Sequence, residues 1–284
     1  AGAVECPPRV RDACFLRAAR DKAEDAHLVV VNHALLMRNL AEGGGIIPHY
    51  DYLVIDEAHH LEEEATSQFG SRLSQGATEE YLERLEGGRG IYREIRASIG
   101  QLLASPRAGV LEPLVQDGEA LLPRARDHTG TLWAPLSAFL RNHHDGGDTR
   151  HLLLSVTRSS RVQPGWSEVE VAWENADMAL SQIARNLERV QQSLSSLEDG
   201  QMAGHDPLSM DVSSSLNTAE DIREKLRAFI IQPKDDQIYW MTQDGREGEI
   251  TLDIAPMHVG GLLQERLFSQ KKSVILTSAT LSTQ

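Results

Sequence analysis

Two adjacent carboxylates, Asp56 and Glu57, follow the apolar run Leu53-Val54-Ile55 within the stretch YDYLVIDEAHHL at residues 50–61. The run reads as a buried strand that ends on the acidic pair. Buried strands of parallel sheets are continuously apolar, and ligands gather at their carboxyl ends. Two carboxylates at such an edge suit a magnesium ion and an activated water. One can hold the hydrated Mg²⁺, and the other can take a proton from the attacking water. A strand ending in a solvated acidic turn has the same letters, so the pair has to be weighed against the rest of the chain.

Two further apolar runs end on polar residues. Leu28 to Val31 predicts a second buried strand, with Asn32-His33 at its carboxyl end and a helix over Ala34–Leu40 that Asn32 would cap. Gly43-Gly44-Gly45 breaks that helix, and Ile46-Ile47-Pro48 leads towards the acidic strand. Ser273 to Leu276 predicts a third buried strand, ending on Thr277-Ser278-Ala279-Thr280-Leu281. If the strands are parallel, these hydroxyls share an edge with Asp56 and Glu57 and can bridge the carboxylates by hydrogen bonds. A helix over residues 15–27, rich in Ala, Arg and Glu, precedes the first of these runs.

Between the acidic strand and the last one the chain reads as mostly helical. LEEEA starts a helix after His60; Tyr81, Leu82 and Leu85 mark another, and Ile91, Ile95, Leu102 and Leu103 one more beyond Gly87-Gly88. Residues 108–126 predict a helix interrupted by Pro113 and Pro123, and 143–150, HHDGGDTR, a polar loop. A strand is expected at 152–157. Arg158, Arg161 and Trp166 follow it as a basic and aromatic cluster that could hold phosphates and stack on a base, or could anchor the next helix in a core. That helix is expected to start at Ser167 as N-cap and to carry a seam of Trp173, Ala176, Leu180, Ile183, Leu187, Val190, Leu194 and Leu197. Ala219, Ile222, Leu226 and Phe229 give an antiparallel partner, capped by Thr218 with Asp221 as a box residue, after a loop at 198–217. Ile238–Thr242 and Glu249–Ile254 then read as strands around an Asp244-Gly245 turn, and 258–268 as a short helix.

The chain has 284 residues and a formal net charge of −14, which argues against a protein that coats nucleic acid non-specifically but leaves room for a local basic groove. No apolar run is long enough to span a membrane, and the N-terminus lacks a signal-peptide pattern, so a soluble, cytoplasmic protein is expected. Cys6 and Cys14 are the only cysteines, too few for a disulfide framework. They are close enough to share a metal or cluster, although such sites usually take four ligands.

Asp56-Glu57-Ala58-His59 spells the DEAH form of the Walker B motif. With VVVNHALL and VILTSATL, it gives three strand-end motifs that together resemble the DinG-like branch of the XPD-type superfamily 2 DNA helicases. VIDEAH looks like motif II and TSAT like motif III. NHALL is the most discriminating, since DEAD-box and DEAH-box RNA helicases lack it. IYWMT and IAPMHVGGLLQERLF also look like this branch. The resemblance implies an α/β fold, a partial RecA-like domain with a parallel sheet and a large, mostly α-helical, arch-like insertion. It divides the chain into the end of an iron–sulfur-like region (1–27), a first part of the core (28–65), the arch-like insertion (66–235) and a second part of the core (236–284). Cys6 and Cys14 would then be ligands of a 4Fe-4S cluster, of whose four cysteines at most two are here.

The same resemblance implies ATP and Mg²⁺ as cofactors and single-stranded or forked DNA as partner, together with the remaining helicase domains of a parent chain and no membrane. Asp56 would hold Mg²⁺ through water, and Glu57 would position and deprotonate the attacking water. His59 would couple the nucleotide site to motif III, where Thr277, Ser278, Ala279 and Thr280 relay nucleotide state to DNA. Asn32 and His33 would lie near the strand. No G-x-x-x-x-G-K-[ST] occurs, so the Walker A loop is missing, and the chain stops soon after TSAT. An internal fragment of a 5′-to-3′ helicase working in DNA repair or replication, inactive alone, is therefore expected. The alternatives are a non-catalytic DNA-binding module and part of an ATP-dependent exonuclease.

Overall fold

The structure, a computed structural model, describes residues 15–88, 90–99, 108–144, 151–196, 205–244 and 248–279. The chain divides into two compact units. The first comprises residues 1–71, 236–238 and 254–284, and the second, lying within it in sequence, residues 72–235 and 239–253. With a parallel strand pair in one and long helices in the other, the architecture is α/β and consistent with a partial helicase domain carrying a helical insertion.

The first unit contains α1 (Phe15–Glu24), α2 (His33–Ala41), β1 (Tyr52–Ile55), α3 (Leu61–Phe69), α9 (Gly260–Arg266) and β6 (Ser273–Leu276). β1 and β6 pair in parallel, Tyr52 opposite Ser273 and Ile55 opposite Leu276. Their core is one cluster: Leu36, Met37 and Leu40 from α2, Ile55 from β1, Leu61 and Ala65 from α3, and Val259, Leu263 and Leu267 around α9. Asn32 caps α2 as expected, accepting the N–H of Leu35. After α2 the chain reverses through Gly43, Gly44 and Gly45, all at positive φ, a run that only glycines adopt without strain. The buried side chain of Asn39 holds the far side of this turn, its Oδ1 accepting the N–H groups of Ile46 and Ile47.

Three expectations of burial fail here. Leu28–Val31 forms no strand, and Leu28 and Val30 are 80% and 86% exposed. β1 buries only Ile55, and β6 leaves Ile275 and Leu276 half exposed. A strand's burial depends on what covers its two faces, and the described residues supply cover on one face of a two-stranded sheet.

The second unit is built on three helices, α6 (Ala108–His143), α7 (Trp166–Ser195) and α8 (His205–Ile230), with α4 (Gln75–Glu86) and α5 (Ile91–Ile99) packed against them. β2 (Ser71–Ser74), β5 (Ile250–Pro256), β4 (Gln237–Asp244) and β3 (His151–Ser155) form a sheet in that order, with β3 and β4 antiparallel. The expected seam holds: Trp173, Ala176, Leu180, Ile183, Leu187, Val190 and Leu194 are all buried. Gln191 meets Ser209 while Asp177 meets Arg223, so α7 and α8 run antiparallel. Leu102, Leu103, Leu197 and the Asp244-Gly245 turn beyond Asp244 lie outside the described residues.

Three boundaries differ from the sequence reading. α6 is continuous over 36 residues although it contains Pro113, Pro123 and Pro135. Pro113 and Pro123 lie on its exposed side, where carbonyls left without a helical donor can reach water. α7 starts one residue before Ser167. Gly165, at φ 91°, is its N-cap and offers no side chain, so the start is set by burial of Trp166. α8 starts at His205, and Thr218, expected to cap it, sits mid-helix with its hydroxyl donating to Ser214 O.

One close crossing ties α5, α6 and α7 together. The Tyr92 hydroxyl donates to Asn186 Oδ1 at 2.9 Å, and Asn186 Nδ2 donates to Leu114 O at 2.9 Å, all buried. A Cβ on Gly118 would stand 2.3 Å from Tyr92 Cε1 and 2.6 Å from Asn186 Oδ1, whereas one on Gly130 in the same helix would meet nothing within 4 Å. Gly118→Ala should therefore destabilise the chain by about 1–3 kcal/mol through overpacking. Gly130→Ala should stabilise it by about 0.5–1 kcal/mol through helix propensity. Urea unfolding of the two variants checks the opposite signs.

Candidate active site

The site forms where β1 and β6 end. Past the last paired residues the backbone ladder continues, with Thr277 N donating to Ile55 O at 2.8 Å and Ala58 N to Thr277 O at 2.9 Å. These bonds bring VIDEAH and TSAT side by side across 221 residues. Thr277 Oγ1 donates to Asp56 Oδ1 at 2.6 Å, and the Glu57 N–H donates to the same oxygen at 3.0 Å. Neither bond uses Oδ2, so one face of the carboxylate is left for a ligand. The Thr277 hydroxyl first, and then the Glu57 N–H, hold the Asp56 carboxyl below its ordinary range against a smaller opposing effect of burial. Asp56 is therefore ionised throughout the neutral range.

Glu57 has φ 49° and ψ 45°, the only non-glycine at positive φ among the described residues. A non-glycine residue held there costs on the order of 1–3 kcal/mol, and such strain persists where the surroundings over-determine it. It turns the chain sharply from β1 into the short 3₁₀ turn Ala58–His60, closed by His60 N to Glu57 O at 3.0 Å. Glu57 Oε2 then lies 3.2 Å from His59 Nδ1 and 3.5 Å from Ser278 Oγ, while His59 Nδ1 is 2.8 Å from Ser278 Oγ. The distances favour one arrangement: His59 Nδ1–H donates to Ser278 Oγ, and the Ser278 hydroxyl points to Glu57 Oε2. Glu57 keeps its second carboxylate oxygen outside this triangle.

His33 adds a third motif. Its Nε2 donates to Asp56 O at 2.9 Å, so the first residue of α2 holds the turn after β1. The sequence placed His33 at a strand end by type, but nothing in the letters marked its partner. Asn32 is exposed with its side-chain oxygen committed to the helix cap. Ala279 is described and Thr280 is not; Cys6 and Cys14 also lie outside the described residues. Among the described residues no group of three or more His, Cys, Asp or Glu could hold a metal ion. A site of one or two carboxylates whose remaining ligands are water and phosphate is the usual arrangement for Mg²⁺, and Asp56 and Glu57 fit that pattern.

The basic and aromatic cluster belongs to the second unit. Trp166 has no exposed surface; its ring meets Phe139 edge-on at 5.0 Å and lies under the Arg161 guanidinium at 5.6 Å. Stacking on a base would require it to leave this core. Arg161 donates to the carbonyls of Val156 and Phe229 and also lies over Tyr239. Arg158 is exposed and paired with Asp235. Of these three residues only Arg158 presents its charge to solvent.

No family model matches the chain. It is 27% identical to the ATP-dependent DNA helicase DinG of Photobacterium profundum over 95% of its own length and 37% of the relative's. It is 24% identical to the 3′-5′ exonuclease DinG of Bacillus subtilis over 94% of its length and 28% of the relative's. Over a shorter stretch, 24% of the chain, identity to the ATP-dependent DNA helicase YoaA of Escherichia coli rises to 42%. The chain thus spans about a third of the length of the two DinG relatives. Among the described residues no helix is long and apolar enough to cross a membrane. Similarity to proteins named DinG runs along nearly the whole chain, and the joining of NHALL, VIDEAH and TSAT through His33, Asp56 and Thr277 agrees with it in supporting a place in the DinG-like helicase family.

Proposed function

We propose that this chain forms part of an ATP-dependent DNA helicase, supplying the carboxylates of its nucleotide site and the relay from that site towards single-stranded DNA. The observation that carries this reading is the hydrogen-bonded junction of Thr277 with Asp56 and of Ser278 with Glu57 and His59. Asp56, ionised and with Oδ2 uncommitted, is placed to hold a hydrated Mg²⁺. That ion, when bound, supplies charge neutralisation at the β- and γ-phosphates of ATP. Glu57 orients the attacking water and accepts its proton. A change at Glu57 reaches Ser278 and His59 directly, so the loop after β6 can register whether the water and phosphate are in place. The names of two relatives, each an ATP-dependent DNA helicase, support DNA as the polymer acted on. Translocation from 5′ to 3′ is part of the same proposal.

The Gly-rich loop and lysine that cradle the phosphates of ATP do not occur in these residues. The 284-residue chain alone is accordingly expected to show no DNA-stimulated ATP turnover; a measured, DNA-dependent turnover would overturn that expectation. In a full-length protein containing this segment, Glu57→Gln should lower ATP hydrolysis by about 10²–10⁴-fold while retaining ATP binding. Unchanged hydrolysis in that variant would refute Glu57 as the base. Binding of single-stranded DNA that ignores ATP and survives Asp56→Ala would favour a non-catalytic DNA-binding module instead.

A further inference from the structure

β1 and β6 are parallel, so their amino-terminal ends share the opposite edge of the pair, four residues or roughly 13 Å from Asp56 and Thr277. A cleft of about 380 Å³ lies there, lined by α1, the glycine turn after α2 and the residues that lead into the two strands. Three of its side chains are donors with unused capacity. Arg20 Nε and the Tyr50 hydroxyl are both buried and neither has a hydrogen-bond partner. Lys271 Nζ sits 3.5 Å over the Tyr50 ring and spends one N–H on Tyr50 O at 3.0 Å. Burial pushes the Tyr50 phenol up, which keeps it a protonated donor. Glu24 is the one carboxylate in the lining.

Buried donors without acceptors cost about 1–3 kcal/mol each when left unmet. Two such donors and the Lys271 ammonium, which has N–H groups to spare, line one cleft and together suit an acceptor-rich ligand. The volume suits a nucleotide-sized group, and a guanidinium, an ammonium and a phenol together match the oxygens of a phosphate. From this geometry we infer that the cleft of Arg20, Tyr50 and Lys271 is a second binding site, separate from the carboxylate site, for a phosphate-bearing ligand of nucleotide size. The shared chemistry is the phosphate. It is carried either by a nucleotide within a single strand of nucleic acid or by a free nucleotide.

The test measures binding to the 284-residue chain by calorimetry with three probes: inorganic phosphate, ATP and a short single-stranded oligonucleotide. Saturable binding is expected that weakens about tenfold in Arg20→Gln and in Lys271→Gln, tightens a few-fold in Glu24→Gln, and is unmoved by Asp56→Ala. Arg20 and Glu24 lie on the partly exposed helix α1, so their variants keep the test clear of the core even if Lys271→Gln disturbs Tyr50. Binding of the oligonucleotide without competition by ATP identifies the strand as the source, and competition by ATP identifies the free nucleotide. No binding of any probe, or binding equal in wild type, Arg20→Gln and Lys271→Gln, overturns the proposal. The Asp56→Ala arm keeps this outcome distinct from any failure of the carboxylate site.

Discussion

The candidate active site depends on a two-stranded parallel pairing four residues long. Asp56 and Thr277 meet only because the ladder between β1 and β6 continues for two more hydrogen bonds beyond the strands. Those bonds fix the height of one strand end against the other, and the side-chain contacts follow from that register. Asp56 receives a hydroxyl and an amide on one oxygen, Glu57 is thrown into a left-handed conformation, and His59 reaches Ser278. A slip of one residue between the strands would place Ser278 opposite Asp56 and send Thr277 to the other face. Register here does what a metal cluster or a disulfide does in other sites: it sets the mutual position of groups far apart in sequence.

The second unit is stabilised by different means. Its helices bury long apolar seams; the Tyr92–Asn186–Leu114 chain passes through the close approach at Gly118, while the Tyr81 hydroxyl and Trp166 Nε1 are buried without a hydrogen-bond partner. Its surface ion pairs, such as Arg96 with Glu112 and Glu119, add little individually. The more enclosed pair of Arg223 with Asp177 joins α7 to α8 where both charges are mostly shielded from water. The junction at the ends of β1 and β6 draws no residue from these seams.

The meeting of the two strand ends was legible because it rests on residue types. Apolar runs ending on carboxylates at Asp56-Glu57 and on hydroxyls at Thr277-Ser278 predict that the two groups meet once both runs are parallel strands. Burial was less legible. Leu28–Val31 has the composition of a core strand, yet only Val31 packs against the core while Leu28, Val29 and Val30 are exposed, and composition cannot report what lies on a neighbouring element. The positive φ of Glu57 was invisible, since glycine is the only residue that advertises it. The start of α8 was hidden by serines and aspartates that suggest a loop. A signal was there in Leu208 and Val212, which continue the seam of Ala219, Ile222 and Leu226 at helical spacing. Nor did the sequence reveal the packing around Tyr92, whose partner Asn186 is 94 residues away.

The distance in sequence between Asp56 and Thr277 also orders how the molecule is made. Closing a flexible loop of 221 residues costs roughly 5 kcal/mol in chain entropy, and four strand residues cannot offset that while the intervening chain is a coil. The helices of the second unit gain most of their contacts from neighbouring helices in sequence, so they can condense early. Once they have done so the intervening chain is no longer free, and the closure entropy has largely been spent on their own packing. Asp56 and Glu57 are thus brought to Thr277 and Ser278 late in folding, and a chain arrested before that step would have an intact helical unit and an unformed strand-end junction.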